Sequence, residues 1–380
     1  MRLYEFEGSE LFRREGIPVP ALAVATSAEE AREKAVQIGL PVVIKAQVLV
    51  GGRGLAGGVQ TAESLEQVEV VADRLLQTAI KGWPVRKVMV ARQVSVAREF
   101  YLGVTVDSYE GRPLVILSSA GGVSIEEIAR THPELVASRH ASISTGLTLL
   151  EAQEMAERAG LLGQERDSVA SLLHTLYLVF RKYDALIAEI NPLVRTTGGD
   201  YLALDAKVEI DDSALYRHTD LKLELEEHIP NPLERKGQQI GVTYVDLDGD
   251  IGIIASGAGL GMATMDIVGR KLRPANFLET GGAITAGLLY QAMALVMQKK
   301  KLRAVFINLY GGINPIHEGA KGIVRYIREH QVTIPVVAKA LGNRQEETWE
   351  ILRSGGVSVV TDVATEKGVE ELARLLEGNR

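Results

Sequence analysis

Lys45 interrupts an otherwise apolar run, PVVIKAQV, and is soon followed by Gly51-Gly52-Arg53-Gly54-Leu55-Ala56-Gly57-Gly58. A lysine in a buried strand is costly unless it meets an anion. A loop this rich in glycine can turn backbone N–H groups toward phosphate oxygens, and Arg53 can add charge-assisted hydrogen bonds. The alternative is a flexible hairpin loop beside a snorkelling lysine. The pattern GxxxxGK[ST] is absent from the sequence, which excludes an ordinary P-loop.

A second constellation lies in IAEINPLVRTTGGDYLALDAKVEI, which reads as a hairpin. With side chains alternating along each strand, Glu189 and Asn191 share one face of the first strand, and Asp205 and Lys207 one face of the second. If the loop is Thr197-Gly198-Gly199, closed by Thr196 opposite Asp200, then Asn191 falls opposite Asp205 and Glu189 opposite Lys207. Opposed Cβ atoms lie about 4.5–5.5 Å apart. An amide oxygen and a carboxylate that close can hold one Mg²⁺, which takes few protein ligands and keeps waters or phosphates. The other reading of the same residues is a solvated sheet face with an ordinary ion pair.

Three glycine-rich strand ends follow: Ser256-Gly257-Ala258-Gly259, Thr280-Gly281-Gly282 and Tyr310-Gly311-Gly312. Each is expected to precede a helix, and helix N-termini favour anions. Met262 breaks the GxGxxG spacing, so the dinucleotide fingerprint is not met. Three such turns at one sheet edge form a crevice for an anionic ligand. The seven histidines are scattered and include no HExxH pair, which argues against a metalloprotease. His174 reads as packing, and His317 alone stands near one of these turns.

The elements that must position these groups alternate in helical and strand pattern, which favours an α/β fold. Residues 27–39 start with a Ser27…Glu30 capping box and stop at Gly39, predicting a helix. PVVIKAQV reads as a buried strand, REFYLGVTVD and LVILSS as strands joined by EGRP, and 147–160 and 167–183 as helices. Prolines and a glycine in HIPNPLERKG mark a boundary, so 1–230 and 237–380 are expected to be separate domains. Beyond it DIGIIAS, PANFLE, RAVFINLY, IPVVAKA and VSVVTD are five strand candidates, each with a following helix, predicting a doubly wound parallel sheet with ligands at the strand C-terminal ends.

Composition narrows the class. The 380 residues are 46% apolar and 24% charged, enough for a large core. A formal net charge of −7 lacks the basic footprint of a nucleic-acid binder. No apolar run reaches the ~18 residues of a membrane helix, and the start lacks a signal-peptide layout. With no cysteine, thiolate catalysis and Cys-based metal sites are excluded. The expectation is a soluble, cytoplasmic protein.

Several long motifs, in order along nearly the whole chain, carry a family resemblance: LYEFEGSELFRREGIPVP, VVIKAQVLVGGRGLAGGV, AREFYLG, AEINPLV, LDAKVEIDDSALYR, SGAGLGMATMDIV, PANFLETGG and NLYGGI. The chain resembles the β subunit of succinyl-CoA synthetase (succinate–CoA ligase). That resemblance implies an N-terminal ATP-grasp domain followed by a flavodoxin-like CoA-ligase domain. It places ATP or GTP at Lys45, Gly52, Arg53, Gly54 and Glu99, and Mg²⁺ at Asn191 and Asp205. Glu189 matches an acid that steadies a travelling phosphohistidine, while Ser256 and Gly312-Ile313-Asn314 match positions that hold the carboxylate substrate. It also implies an α subunit, in an αβ or α2β2 assembly, bearing the phosphohistidine and most of the CoA site.

Departures from the family gather near the base and the acid. Leu49 replaces a usual histidine, Ala91 a glutamate, Ala120 and Ser124 glutamates, and Ser256 an asparagine; GGINPIHEG replaces the usual run after GGI. The expected reaction is succinate + CoA + NTP ⇌ succinyl-CoA + NDP + phosphate. The alternatives are the same chemistry on malate or citrate, or a nucleotide-binding paralogue without turnover.

Overall fold

The computed structural model describes residues 1–378, which form two compact units, Met1–Leu223 and the part from Glu224 onward. In the first unit, Ser27 caps the helix Ala28–Ile38 by accepting from the Glu30 N–H, and Gly39 ends it at φ 87°. The strand that follows, Val42–Ala46, lies inside an antiparallel sheet ordered Leu22–Ala25, Val88–Arg92, Val42–Ala46, Val59–Ala62. Its alternation decides the position of the lysine. Val42, Ile44 and Ala46 enter the core beneath the helices Ala28–Ile38 and Leu65–Leu76, which turns Val43 and Lys45 to the other face.

The second sheet of this unit runs Tyr201–Ala203, Ala185–Thr196, Val96–Asp107, Arg112–Ser118, Val136–His140, and Lys207–Ile210 also pairs with Ala185–Thr196. The hairpin has the expected register. Arg195 pairs with Tyr201 and Glu189 with Lys207, and the Thr196 N–H donates to the Asp200 carbonyl at 2.8 Å. Laddering stops between Ala203 and Lys207, so Asp205 sits in a gap between two short strands. The helices Leu149–Arg158 and Gly163–Lys182 supply Met155, Leu173, Leu176 and Tyr177 to a core shared with Phe100, Leu102 and Ile190.

In the second unit the five expected strands are present, at Ile251–Ala255, Asn276–Glu279, Ala304–Gly311, Val336–Gly342 and Ser358–Val360, and they are mutually parallel. A sixth, Thr243–Asp246, pairs antiparallel with Asn276–Glu279 at the edge, so the sheet is mixed rather than purely parallel. An edge strand of four residues carries too little alternation to be read from sequence. The interrupted stretch HIPNPLERKG includes a helix start: Asn231 accepts from the N–H groups of Leu233 and Glu234, Pro232 takes the first position, and the helix runs Pro232–Ile240.

Helices cover both faces of this sheet, with Val268, Val369 and Leu372 on one side and Leu289, Ala292 and Ile323 on the other. The helices Ala286–Val296 and Ile316–Glu329 approach so closely that a Cβ on Gly322 would lie 2.0 Å from the Ala286 carbonyl oxygen. Gly322→Ala should therefore lower stability by about 1–3 kcal/mol through overpacking, despite the roughly 1 kcal/mol that alanine gains in an isolated helix. Denaturant unfolding checks this; an unchanged or raised midpoint contradicts so close a packing.

Candidate functional site

Four charged side chains from four separate segments meet on the inner face of the first sheet. Lys45 Nζ donates to Glu5 Oε1 at 2.8 Å and to the Leu204 carbonyl at 2.5 Å. Arg53 Nη2 stands 2.8 Å from Glu5 Oε2 and donates to Asp205 Oδ1 at 3.0 Å. Glu5 opens the helix Glu5–Arg14 and occupies its buried face with Gly8, Ser9, Leu11 and Phe12. Burial alone would raise its pKa, but Lys45 and Arg53 outweigh that and hold the carboxyl below its ordinary value. Glu5 escaped the sequence reading, although an acid on the apolar face of an amphipathic helix is the signal that marks it.

Beside this cluster a cavity of about 220 Å³ opens between the two sheets of the unit. Pro20, Leu22, Val43, Met89, Ala91 and Leu204 give it apolar walls, Gln93 adds an amide, and Lys45 lines it too. Such a space suits a flat heteroaromatic ring with its charged substituent directed at Lys45 and Arg53. The glycine-rich loop contributes less backbone than its composition suggests. The N–H groups of Ala56, Gly57 and Gly58 donate to carbonyls of Gly52, Arg53 and Gly54 within the loop, so these three are spent internally.

Asp205 differs from Glu5. Its pKa is pushed up to about 6, first by burial and then by the Glu5 charge, against the opposing pull of Arg53 and Lys45. Asn191 is engaged elsewhere: Oδ1 accepts from the Gly122 N–H at 2.9 Å, and Nδ2 donates to the Val123 carbonyl at 3.1 Å. Glu99 meets the same loop. A Cβ on Gly122 would lie 2.1 Å from Glu99 Oε2, and φ is 78°, so only glycine fits. Among the described residues no group of three or more His, Asp or Glu is placed to hold a metal. The donors nevertheless fit Mg²⁺: a carboxylate and an amide oxygen with a spare lone pair, both hard oxygens, with the remaining ligands left to phosphates and water. Glu189 Oε2 accepts from Lys207 Nζ at 2.8 Å.

In the second unit the glycine turns lie at the C-terminal ends of the parallel strands. Only the first runs straight into a helix, with Gly257 as the N-cap of Ala258–Gly269. The other two also precede helices, Ala286–Val296 and Ile316–Glu329, across short loops. The Ser256 hydroxyl donates to the Tyr310 carbonyl at 3.1 Å and accepts from the Tyr310 N–H at 2.8 Å, tying two strand ends together. The Ile313 side chain is exposed, its carbonyl accepts from Asn343 Nδ2 at 3.1 Å, and Asn314 packs against Gly282. His317 is buried, with Nε2 3.1 Å from Arg344 Nη1.

Family models match residues 2–195 as an ATP-grasp domain and residues 254–372 as a CoA-ligase. The chain is 44% identical over 353 residues to the β subunit of a GDP-forming succinate–CoA ligase of Thermus thermophilus, covering 93% of each chain. It is 40% identical to the ADP-forming counterpart of Rubrobacter xylanophilus, covering 98% of this chain and 97% of that one. A third relative, the ADP-forming β subunit of Desulfurococcus amylolyticus, is 39% identical over the full length of both. Among solved structures, ATP citrate lyase from Methanothrix soehngenii in complex with citrate and coenzyme A superposes with a TM-score of 0.80 over 98% of this chain and 99% of that one, at 16% identity, which shows a shared fold. The resemblance read from the motifs is borne out.

The raised pKa of Asp205 has a sign. Between the ordinary value of 3.8 and about 6, the folded form keeps a proton that the unfolded chain has released, so stability falls as pH rises through that window. Asp205→Asn cannot ionise there. In ligand-free protein with chelator, its melting temperature relative to wild type should rise from pH 4 to pH 7. A difference that stays flat or falls contradicts the assigned environment.

Proposed function

This chain belongs to the family of succinate–CoA ligase β subunits, and from that premise we propose that it is the nucleotide-binding half of an enzyme running succinate + CoA + NTP ⇌ succinyl-CoA + NDP + phosphate. The observation that carries this reading is the Lys45–Arg53 pair beside an apolar cavity, with Asp205 next to it. In phosphoryl transfer the protein mainly positions groups and neutralises charge. Lys45 and Arg53 are the cations that take the phosphate oxygens, and the cavity with Ala91 and Gln93 takes the base. The relatives include both GDP-forming and ADP-forming ligases, so either ATP or GTP is compatible with the family.

Asn191 and Asp205 would hold Mg²⁺, which would supply positive charge to neutralise the phosphates. Lys207 fixes Glu189 through Oε2, leaving the carboxylate oriented to accept from the imidazole of an incoming histidine. That histidine belongs to a partner α subunit, which also carries most of the CoA site. The glycine turns of the second unit offer backbone N–H groups to the acid and its acyl phosphate.

One observation favours a second acid. The Ser256 hydroxyl is committed to the Tyr310 backbone, so the substrate carboxylate would rely on the Gly312-Ile313-Asn314 turn, and a hydroxylated acid such as malate or citrate could use the space that a longer asparagine would fill. The test is NDP release by the chain, alone and co-purified with an α-type partner, given succinate, malate or citrate. The chain alone should bind Mg²⁺–nucleotide and form no acyl-CoA, and the pair should turn over with succinate preferred. Full turnover by the single chain contradicts the two-subunit reading, and a preference for malate or citrate favours the second acid.

A further inference from the structure

The two carboxylates that neutralise Lys45 and Arg53 are not equivalent. The Glu5 side chain is 1% exposed and that of Asp205 38%. One Glu5 oxygen faces each cation at 2.8 Å, Oε1 accepting a hydrogen bond from Lys45 and Oε2 forming an ion pair with Arg53 outside hydrogen-bond geometry. Its helix start is tied to the lysine strand through Gln47, whose Oε1 accepts from the Phe6 N–H at 3.3 Å and whose Nε2 donates to the Lys45 carbonyl at 3.2 Å. One turn later the helix is pressed onto the hairpin, where a Cβ on Gly8 would stand 3.2 Å from Ala206 Cβ. Glu5 therefore cannot follow a cation toward solvent. Asp205 holds Arg53 through Oδ1, shares that oxygen with the Ala206 N–H at 2.9 Å, and is the partly exposed carboxylate of the two.

We propose that Glu5 is a positioning residue of the phosphate site, fixing where Lys45 Nζ and Arg53 Nη2 stand, while Asp205 is the carboxylate that Arg53 releases when a nucleotide phosphate arrives. The proposal rests on the nucleotide site described above. Phosphate oxygens only accept hydrogen bonds, so seating them means redirecting donors now pointed at protein carboxylates. Without Glu5, two cations side by side would repel each other and take up positions set by the ligand. With it, both are preset before the ligand enters. Protein kinases apply the same logic when a helix glutamate pairs with the phosphate-binding lysine of a strand. Buried ion pairs contribute little net stability compared with apolar packing, so stability alone gives weak reason for a charge on this helix face.

The test separates positioning from fold. Nucleotide affinity is measured by calorimetry on the full chain, and the rate of transfer from a γ-labelled nucleotide to the partner's histidine on the complex, for wild type, Glu5→Gln and Glu5→Asp. Glu5→Gln leaves the cations undercompensated, so Kd should stay within about threefold or tighten, while misplaced phosphates slow transfer by roughly 10–100-fold. Glu5→Asp keeps the charge on a shorter arm and should fall between, with Kd unchanged. If Glu5→Gln does not fold, Glu5→Asp carries the comparison. Wild-type transfer rates in whichever variant folds overturn the proposal, as does a loss confined to affinity with the transfer rate at saturation unchanged. Failure of the wild-type complex to phosphorylate its partner overturns the nucleotide-site reading itself, which is a distinct result.

Discussion

The interaction on which the first unit's site depends is the pairing of two cations, Lys45 and Arg53, with a buried carboxylate, Glu5, and a partly exposed one, Asp205. Taking such charges out of water costs several kcal/mol each unless they pair well. The chain meets that cost by drawing one group from each of four segments: Glu5 from a helix, Lys45 from a strand, Arg53 from a loop, Asp205 from a break in a hairpin. No two of them are sequence neighbours. The sheets, the caps and the short strands bring these groups together beside a cavity.

The balance also sets what a ligand meets. With Glu5 and Asp205 present the four side chains carry no net charge, and an incoming polyphosphate finds its donors already occupied. On the proposed reading binding is an exchange of carboxylate for phosphate, and the partner that yields is the more exposed one, Asp205. Burial pushes both carboxyls up; Lys45 and Arg53 outweigh it at Glu5 and hold that group low, while at Asp205 the Glu5 charge adds to it.

Much of this was readable in the residues. The hairpin register followed from a Thr-Thr-Gly-Gly-Asp turn and period-two alternation, so the pairing of Glu189 with Lys207 was available before any coordinates. Lys45 was legible because a charge in an apolar strand demands a partner. Glu5 was missed: an acid on the apolar face of its helix carries the mark, but the lysine it meets lies 40 residues away in sequence. The glycine loop misled in part: its composition implied free N–H donors, but close turns spend several of them internally. The contact of the Ser256 hydroxyl with the Tyr310 backbone on a neighbouring strand, 54 residues away, has no mark in the local pattern. Local pattern exposes periodicity and cost; it does not expose which distant group settles the cost.

The most direct test is a crystal structure of the full chain with Mg²⁺ and a non-hydrolysable nucleoside triphosphate. The account predicts phosphate oxygens on Lys45 and Arg53, Arg53 parted from Asp205, the metal on Asp205, and Glu5 in its place between the two cations. A nucleotide bound elsewhere, with the four side chains still paired as they are, would contradict it.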